Sequence, residues 1–218
     1  MTPNQSRGNR RSIRLPGYDY TQPGAYFVTI CIHQAEELFG EVTDGVMVLN
    51  PFGQIAHEEW LASETIRREI ELDAFVIMPN HVHGIVWIVP TGLSEDVGAV
   101  GAQVGAQGLA PLRYPRGIVG EDGPSPLRRA ARSLGSMIAG YKMAVTKRVN
   151  ARRDTPGAPV WQRNYYEHVI RTEDALRAIR EYIVRNPARW QMDRYNLQAT
   201  EHDPMAAELW RLLEREAC

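Results

Sequence analysis

Long apolar runs and closely spaced cysteines are both missing from this 218-residue chain. No stretch approaches the roughly 20 consecutive apolar residues that cross a bilayer, so no membrane association through a spanning helix is expected. The only two cysteines, Cys31 and Cys218, are far apart and lack metal-ligand spacing. A disulfide framework is therefore not expected, and a cytoplasmic location is. The start, MTPNQSRGNRRSIRLPGY, carries arginines but not the apolar core of a secretory signal. Acidic residues are missing from one particular stretch. Between Gly123 and Arg153 there are none, against eight basic residues: Arg128, Arg129, Arg132, Lys142, Lys147, Arg148, Arg152 and Arg153. The N-terminal arm adds Arg7, Arg10, Arg11 and Arg14 before the first acid, Asp19. In a protein of formal net charge −1, such one-signed stretches point to a polyanionic partner. Tyr141, Trp161, Tyr165 and Tyr166 lie among them and offer faces on which unpaired bases can stack.

What is present reads as alternating strands and helices. AYFVTICIH (Ala25–His33) and LDAFVIMP (Leu72–Pro79) are rich in β-branched and aromatic residues and predict core strands. GVMVL (Gly45–Leu49) predicts a short edge strand or hairpin arm behind an Asp44-Gly45 turn. Ile55, Trp60, Leu61 and Ile66 suggest an amphipathic helix from Pro51 to about Arg68. Pro79-Asn80 is a turn signal, so MPNHVHGIVWIV should return antiparallel to the strand before it. Residues 91–123, which include VGAVGAQVGAQGLA, form a low-complexity insertion to which no fixed structure is assigned. Ser125-Pro126 reads as an N-cap and first position of a helix running to about Val149. VWQRNYYEHVIR (Val160–Arg171) alternates like a strand. Thr172, followed by Glu173 and Asp174, opens a helix that Pro187 stops after Asn186, and Asp203-Pro204 starts a last one through Glu216. The class expected is α+β, an antiparallel sheet with helices packed on one face. The expected division is a basic arm at 1–17, a catalytic domain at 18–190 and a helical tail at 191–218.

Two residues of the fourth expected strand raise the question of chemistry. Side chains alternate along a strand, so His81 and His83 share a face and can chelate one metal ion. A lone strand histidine is more often an inert, hydrogen-bonded core residue; a pair one residue apart is harder to dismiss. A binuclear hydrolase would need an Asp and a further His just after, and a histidine-triad hydrolase would need a third His at position 85. Gly84 and Ile85 stand there instead. A further ligand must come from elsewhere. In REYIVRNP, Tyr182 and Asn186 are four residues apart and share a helical face. Either alone reads more simply as packing or a helix end; together they project a phenol and a neutral oxygen from one rigid element.

With FVIMPNHVHGIV, VWQRNYYEHVIR and YIVRNP quoted, the chain resembles the REP-associated tyrosine transposases, single-tyrosine enzymes of the HUH (histidine, bulky hydrophobic, histidine) group. The resemblance covers roughly Ile13 to Trp190. It implies a ferredoxin-like antiparallel sheet and metal-dependent cutting and rejoining of single-stranded DNA at hairpins of palindromic repeats, through a 5′-phosphotyrosine. It further implies that His81, His83 and Asn186 bind Mg2+ or Mn2+ and that Tyr182 is the nucleophile. Ligand type alone admits zinc as readily. The DNA contacts expected from charge are Arg128, Arg129, Arg132, Lys142, Arg11 and Arg14, in a monomer or homodimer. Two other readings stay open: a non-cleaving repeat-DNA or RNA binding protein derived from such an enzyme, and an unrelated metal-dependent phosphoesterase. No general base for the tyrosine is evident.

Overall fold

The computed structural model describes residues 18–90 and 132–217. The main sheet has four strands in the order β4 (Ile70–Ile77), β5 (His81–Ile88), β1 (Gly24–Cys31), β6 (Tyr166–Ile170), with every neighbouring pair antiparallel. Between β1 and β4 lie a two-stranded hairpin, β2 (Gly40–Thr43) and β3 (Val46–Leu49), and helix α1 (Pro51–Ile66). Helix α2 (Leu134–Arg152) separates β5 from β6. Leaving out the small hairpin, the chain order is strand, helix, strand, strand, helix, strand, with β1 and β5 at the centre. That is the split βαβ arrangement of the ferredoxin-like fold. Helices α3 (Glu173–Arg185) and α4 (Pro204–Ala217) follow β6.

The two faces of the sheet carry separate cores. Tyr26, Val28 and Ile30 of β1 and Val82 and Val86 of β5 pack with Ile55, Ala56 and Trp60 of α1 and Met137, Ile138 and Tyr141 of α2. The alternate residues Ala25, Phe27 and Ile85 pack with Leu176, Ile179, Tyr182 and Ile183 of α3 and Leu209 and Leu213 of α4. The α+β antiparallel architecture is as expected. The one-face arrangement holds for α1 and α2 and does not extend to α3 and α4, which cover the other face. The reason is burial: β1 and β5 are buried along nearly their whole length, on both faces, and a strand buried on both faces needs cover on each side.

Local chemistry sets the element ends. Asn50 caps α1 by accepting from Phe52 N (2.9 Å) and Gly53 N (3.0 Å), with Pro51 in the first turn. Thr172 caps α3 by accepting from Ala175 N at 3.2 Å. Asp44 (φ 51°) and Gly45 (φ 75°) make the two-residue turn between β2 and β3, the conformation that Asp-Gly pairs favour. Asp73 lies within the register shift between Leu72 and Phe75 and reaches Arg180 of α3. There it accepts from Trp87 Nε1 at 3.0 Å and from Arg180 Nε and Nη2 at 3.0 and 2.6 Å. Burial works against the Asp73 carboxylate, yet these donors hold it below the usual range.

Two sequence expectations change. Residues 125–131, including the expected cap Ser125, lie outside the described residues; the described helix begins at Leu134 and is capped by Ser133, which accepts from Ser136 N at 3.2 Å. The strand expected over Val160–Arg171 is confined to Tyr166–Ile170. Trp161 forms an isolated bridge to Ile32, and its indole packs on Phe39 and Tyr141. That aromatic burial mimics strand alternation without a continuous ladder. Among the described residues no helix is long and apolar enough to cross a membrane.

Candidate functional site

The antiparallel register opposes Thr29 to His83 and Cys31 to His81, so these four side chains share the α3 face of the sheet. Both imidazoles are oriented through Nδ1. Asn80 donates through Nδ2 to Tyr195 O (2.8 Å) and Ala35 O (3.3 Å), which leaves its Oδ1 facing His81 Nδ1 at 2.9 Å. That oxygen only accepts, so Nδ1 of His81 carries the proton and Nε2 carries the lone pair. Thr29 Oγ1 lies 2.8 Å from His83 Nδ1. With Nδ1 of each ring so engaged, Nε2 is the position left to act. His81 Nε2 is fully enclosed and has no hydrogen-bond partner among the described residues. Burial pushes His81 down to about 3, and burial with the adjacent His81 ring drives His83 well below its ordinary value. Both rings are therefore neutral, as ligands must be.

Helix α3 brings the remaining expected residues. Tyr182 and Asn186 lie on its buried face, as their spacing implies. The Tyr182 hydroxyl is 3.3 Å from His83 Nε2, and the two rings are 5.2 Å apart. Burial, and secondarily Asp193, raises the Tyr182 phenol well above its ordinary value. Asn186 donates from Nδ2 to Asp193 Oδ2 at 2.9 Å, and its Oδ1 is buried without a partner among the described residues.

Asp193 is the residue that sequence reasoning missed. One ligand atom each from His81, His83 and Asp193 lie within 4.8 Å of one another. The cluster is enclosed: His81 and His83 are 0% exposed, Tyr182 and Asn186 1%, Asp193 2%. Tyr195 closes it, its ring 4.6 Å from His81 and 5.8 Å from His83. The segment that carries Asp193 and Tyr195 is pinned by Arg189, which pairs with Asp203 at the start of α4, and by Asn196 Nδ2 donating to Trp190 O at 3.0 Å. Nothing periodic in PARWQMDRYN announces these roles; the available signal was an acid and an aromatic just beyond the proline that ends α3.

The expected DNA-contacting residues are not brought together with this cluster. Arg11, Arg14, Arg128 and Arg129 lie outside the described residues. Arg132 is exposed at the entry to α2. Lys142 lies on α2, on the opposite side of the sheet from the histidines, and donates to Gln162 O (2.7 Å) and Asn164 O (3.2 Å). Arg148 pairs with Glu58 and Glu59 of α1, so part of the basic stretch is spent inside the fold. His168 bonds Glu216 of α4 at 3.3 Å, away from the cluster.

A Haemophilus influenzae protein described as uncharacterized is 37% identical over 185 residues, covering 85% of this chain and 92% of its own length. The two belong to one family. No established family profile matches the chain. Among solved structures, a REP-associated tyrosine transposase bound to a REP hairpin shares 17% identity at a TM-score of 0.49, covering 81% of this chain and 74% of its own. A candidate transposase from Deinococcus radiodurans shares 15% identity at a TM-score of 0.36, covering 78% and 95%.

Proposed function

We propose that this chain is a metal-dependent transposase that cuts and rejoins single-stranded DNA at hairpins of palindromic repeats. The observation that carries the reading is the Tyr182 hydroxyl set 3.3 Å from Nε2 of His83, in an enclosed pair of neutral histidines whose Nδ1 atoms are both tied down. A structural histidine pair has no need of a buried, partnerless Nε2, and such an atom normally costs stability. The donors present fit a divalent cation: His81 and His83 through Nε2, and Asn186 through its partnerless Oδ1. Bound there, Mg2+ or Mn2+ would neutralise non-bridging oxygens of a scissile phosphate and polarise the phosphorus.

The protein's own groups then divide the work. Asn80 holds His81 in the tautomer that presents Nε2, and Thr29 engages Nδ1 of His83 and so orients that ring toward Tyr182. Helix α3 carries Tyr182 one turn from Asn186, so the nucleophile and one oxygen donor move as a unit. Tyr182 Oη forms a bond to phosphorus while the bond from phosphorus to the 3′ oxygen breaks. The phenol loses its proton, the departing 3′ oxygen gains one, and the products are a 5′-phosphotyrosine and a free 3′-OH. The bond energy is retained, so a second 3′-OH can reverse the step onto new DNA. Arg128, Arg129, Arg132, Lys142, Arg11 and Arg14 are the proposed phosphate contacts.

A second reading has an observation in its favour. With Tyr182 1% exposed, the described arrangement presents no open nucleophile, which suits a repeat-DNA or RNA binding protein that does not cut. One experiment separates the two. The full chain is incubated with a single-stranded hairpin and Mn2+, denatured, and resolved for a protein–DNA adduct, which is then mapped by peptide mass. An adduct at Tyr182 supports the transposase. Hairpin binding with no adduct and no cleavage supports the binder, and cleavage without an adduct points to a phosphoesterase.

A further inference from the structure

We propose that Asp193 is itself a metal ligand, so that the centre is built from two imidazoles, one amide and one carboxylate. This rests on the reading of His81 and His83 as ligands and adds a fourth protein donor from beyond α3. Three Lewis-basic groups converge in a space closed to water: one ligand atom from each histidine and one carboxylate oxygen, all within 4.8 Å. Lone pairs gathered at that range repel one another unless a cation sits among them. The carboxylate's position is also fixed from both sides. Asn186 Nδ2 donates to Oδ2 at 2.9 Å, and Tyr195 N donates to Oδ1 at 2.7 Å. Two N–H groups are thin compensation for a carboxylate taken this far out of water, and a cation supplies the remainder.

The same contacts give Asn186 two tasks. Its Nδ2 orients Asp193, and its Oδ1 stays available to the ion. Facing a carboxylate, the amide can present only its nitrogen, so the direction of Oδ1 is set by Asp193. Tyr195 contributes likewise, through its N–H to Asp193 and its carbonyl to Asn80, with its ring against His81. The stretch from Asp193 to Tyr195 is thus the strap that closes the centre. A donor set of two imidazoles and a carboxylate suits Mn2+, Co2+ or Zn2+ better than Mg2+. It also lowers the net charge of the loaded centre, so the protein should take up its ion before any DNA arrives.

The test uses the DNA-free full chain with Co2+ alone, followed by its visible d–d absorption, and Mn2+ alone, followed by loss of its free-ion EPR signal. The His83→Ala chain should lose binding. Asp193→Ala should weaken both ions by at least about tenfold and change the Co2+ band, consistent with what loss of donors around a metal costs. Asp193→Asn keeps size and shape and should weaken binding in the same direction; it carries the test if thermal unfolding in chelator shows Asp193→Ala to be misfolded. Wild-type affinity and spectrum in a folded Asp193→Ala or Asp193→Asn chain, with binding lost in His83→Ala, would overturn the role of Asp193 alone. Wild-type binding in His83→Ala would overturn the underlying metal site as well.

Discussion

Adding one methyl group at Gly84 should damage both the fold and the site, and the structure says by how much. Gly84 follows His83 on β5, opposite Val28 and Phe75, and faces α1. A Cβ built there lies 2.4 Å from Trp60 Cζ2, 3.0 Å from Cη2 and 3.2 Å from Cε2. Carbon atoms in contact sit about 3.5–4.0 Å apart, so either the indole retreats by about 1 Å or the strand does. The indole has nowhere to go: it is fully buried and stands edge-on to Tyr141 at 5.1 Å. Overpacking of this kind costs about 1–3 kcal/mol. The gain from stiffening the unfolded chain, about 0.4–1 kcal/mol for Gly→Ala, offsets only part of it. Gly84→Ala should therefore lower stability by about 1–2 kcal/mol in urea unfolding at neutral pH, with an unchanged slope. It should also weaken Co2+ binding, because a shift of β5 moves His83. In a Trp60→Phe background, which removes the clashing atoms, the same change should cost little, giving a coupling energy on the order of 1–2 kcal/mol. Equal costs in the two backgrounds would show that the indole is not what forbids a side chain at this position.

Tyr182→Phe removes the hydroxyl that shares Nε2 of His83; it should abolish the covalent DNA adduct while binding Co2+ as tightly as the wild type or up to about tenfold more tightly, since a competing hydrogen bond of about 0.5–1.5 kcal/mol is gone. Weaker Co2+ binding would mean that the phenol is a ligand. Metal-free protein should lose stability on acidification. His81 and His83 are both depressed in the folded state, so below the unfolded value of about 6.5 the unfolded chain binds protons that the folded chain refuses. The pair then costs roughly 2.7 kcal/mol per pH unit at full effect, with His57 and His168 acting in the same direction, and urea midpoints from neutral pH to pH 5 measure it. Replacing Arg128, Arg129 and Arg132 together with alanine should weaken hairpin binding and flatten its dependence on salt; an unchanged salt slope removes that stretch from the DNA interface.

How far the site could be read in advance depended on whether its residues sat on regular elements. The pairing of His81 with His83, and of Tyr182 with Asn186, follows from strand and helix periods, and both pairs point inward as those periods require. The caps Thr172 and the Asp44-Gly45 turn were legible because the residue types themselves make the bond or take the conformation. Asp193 and Tyr195 were not legible. They occupy irregular chain whose position is set by the contact of Tyr195 to Asn80, remote in sequence, and of Asp193 to Asn186 at the end of α3. Asn80 shows the other limit: it reads as a turn residue after Pro79, and its bond to His81 appears only once its amide nitrogen is seen to be engaged elsewhere. Charge along a sequence does not distinguish Arg148, paired with Glu58 and Glu59 of α1, from a side chain left for phosphate.

The separation of His81 from Asp193 by about half the chain also bears on biosynthesis. At the usual pace of about 5–20 residues per second, both histidines leave the ribosome on the order of ten seconds before Asp193 does. In that interval β5 can pair with β1 and β4, but β6, α3 and the strap over the sheet do not yet exist. If the two histidines are the proposed ligands, a nascent chain would offer them without Asn186 or Asp193, a bidentate site open to solvent and to whichever ion the cell supplies most freely. On the proposed metal centre, selection among ions would begin only once Asp193, within the last quarter of the polypeptide, has been made, and a chain that stops short of it would carry the histidines without the proposed oxygen donors.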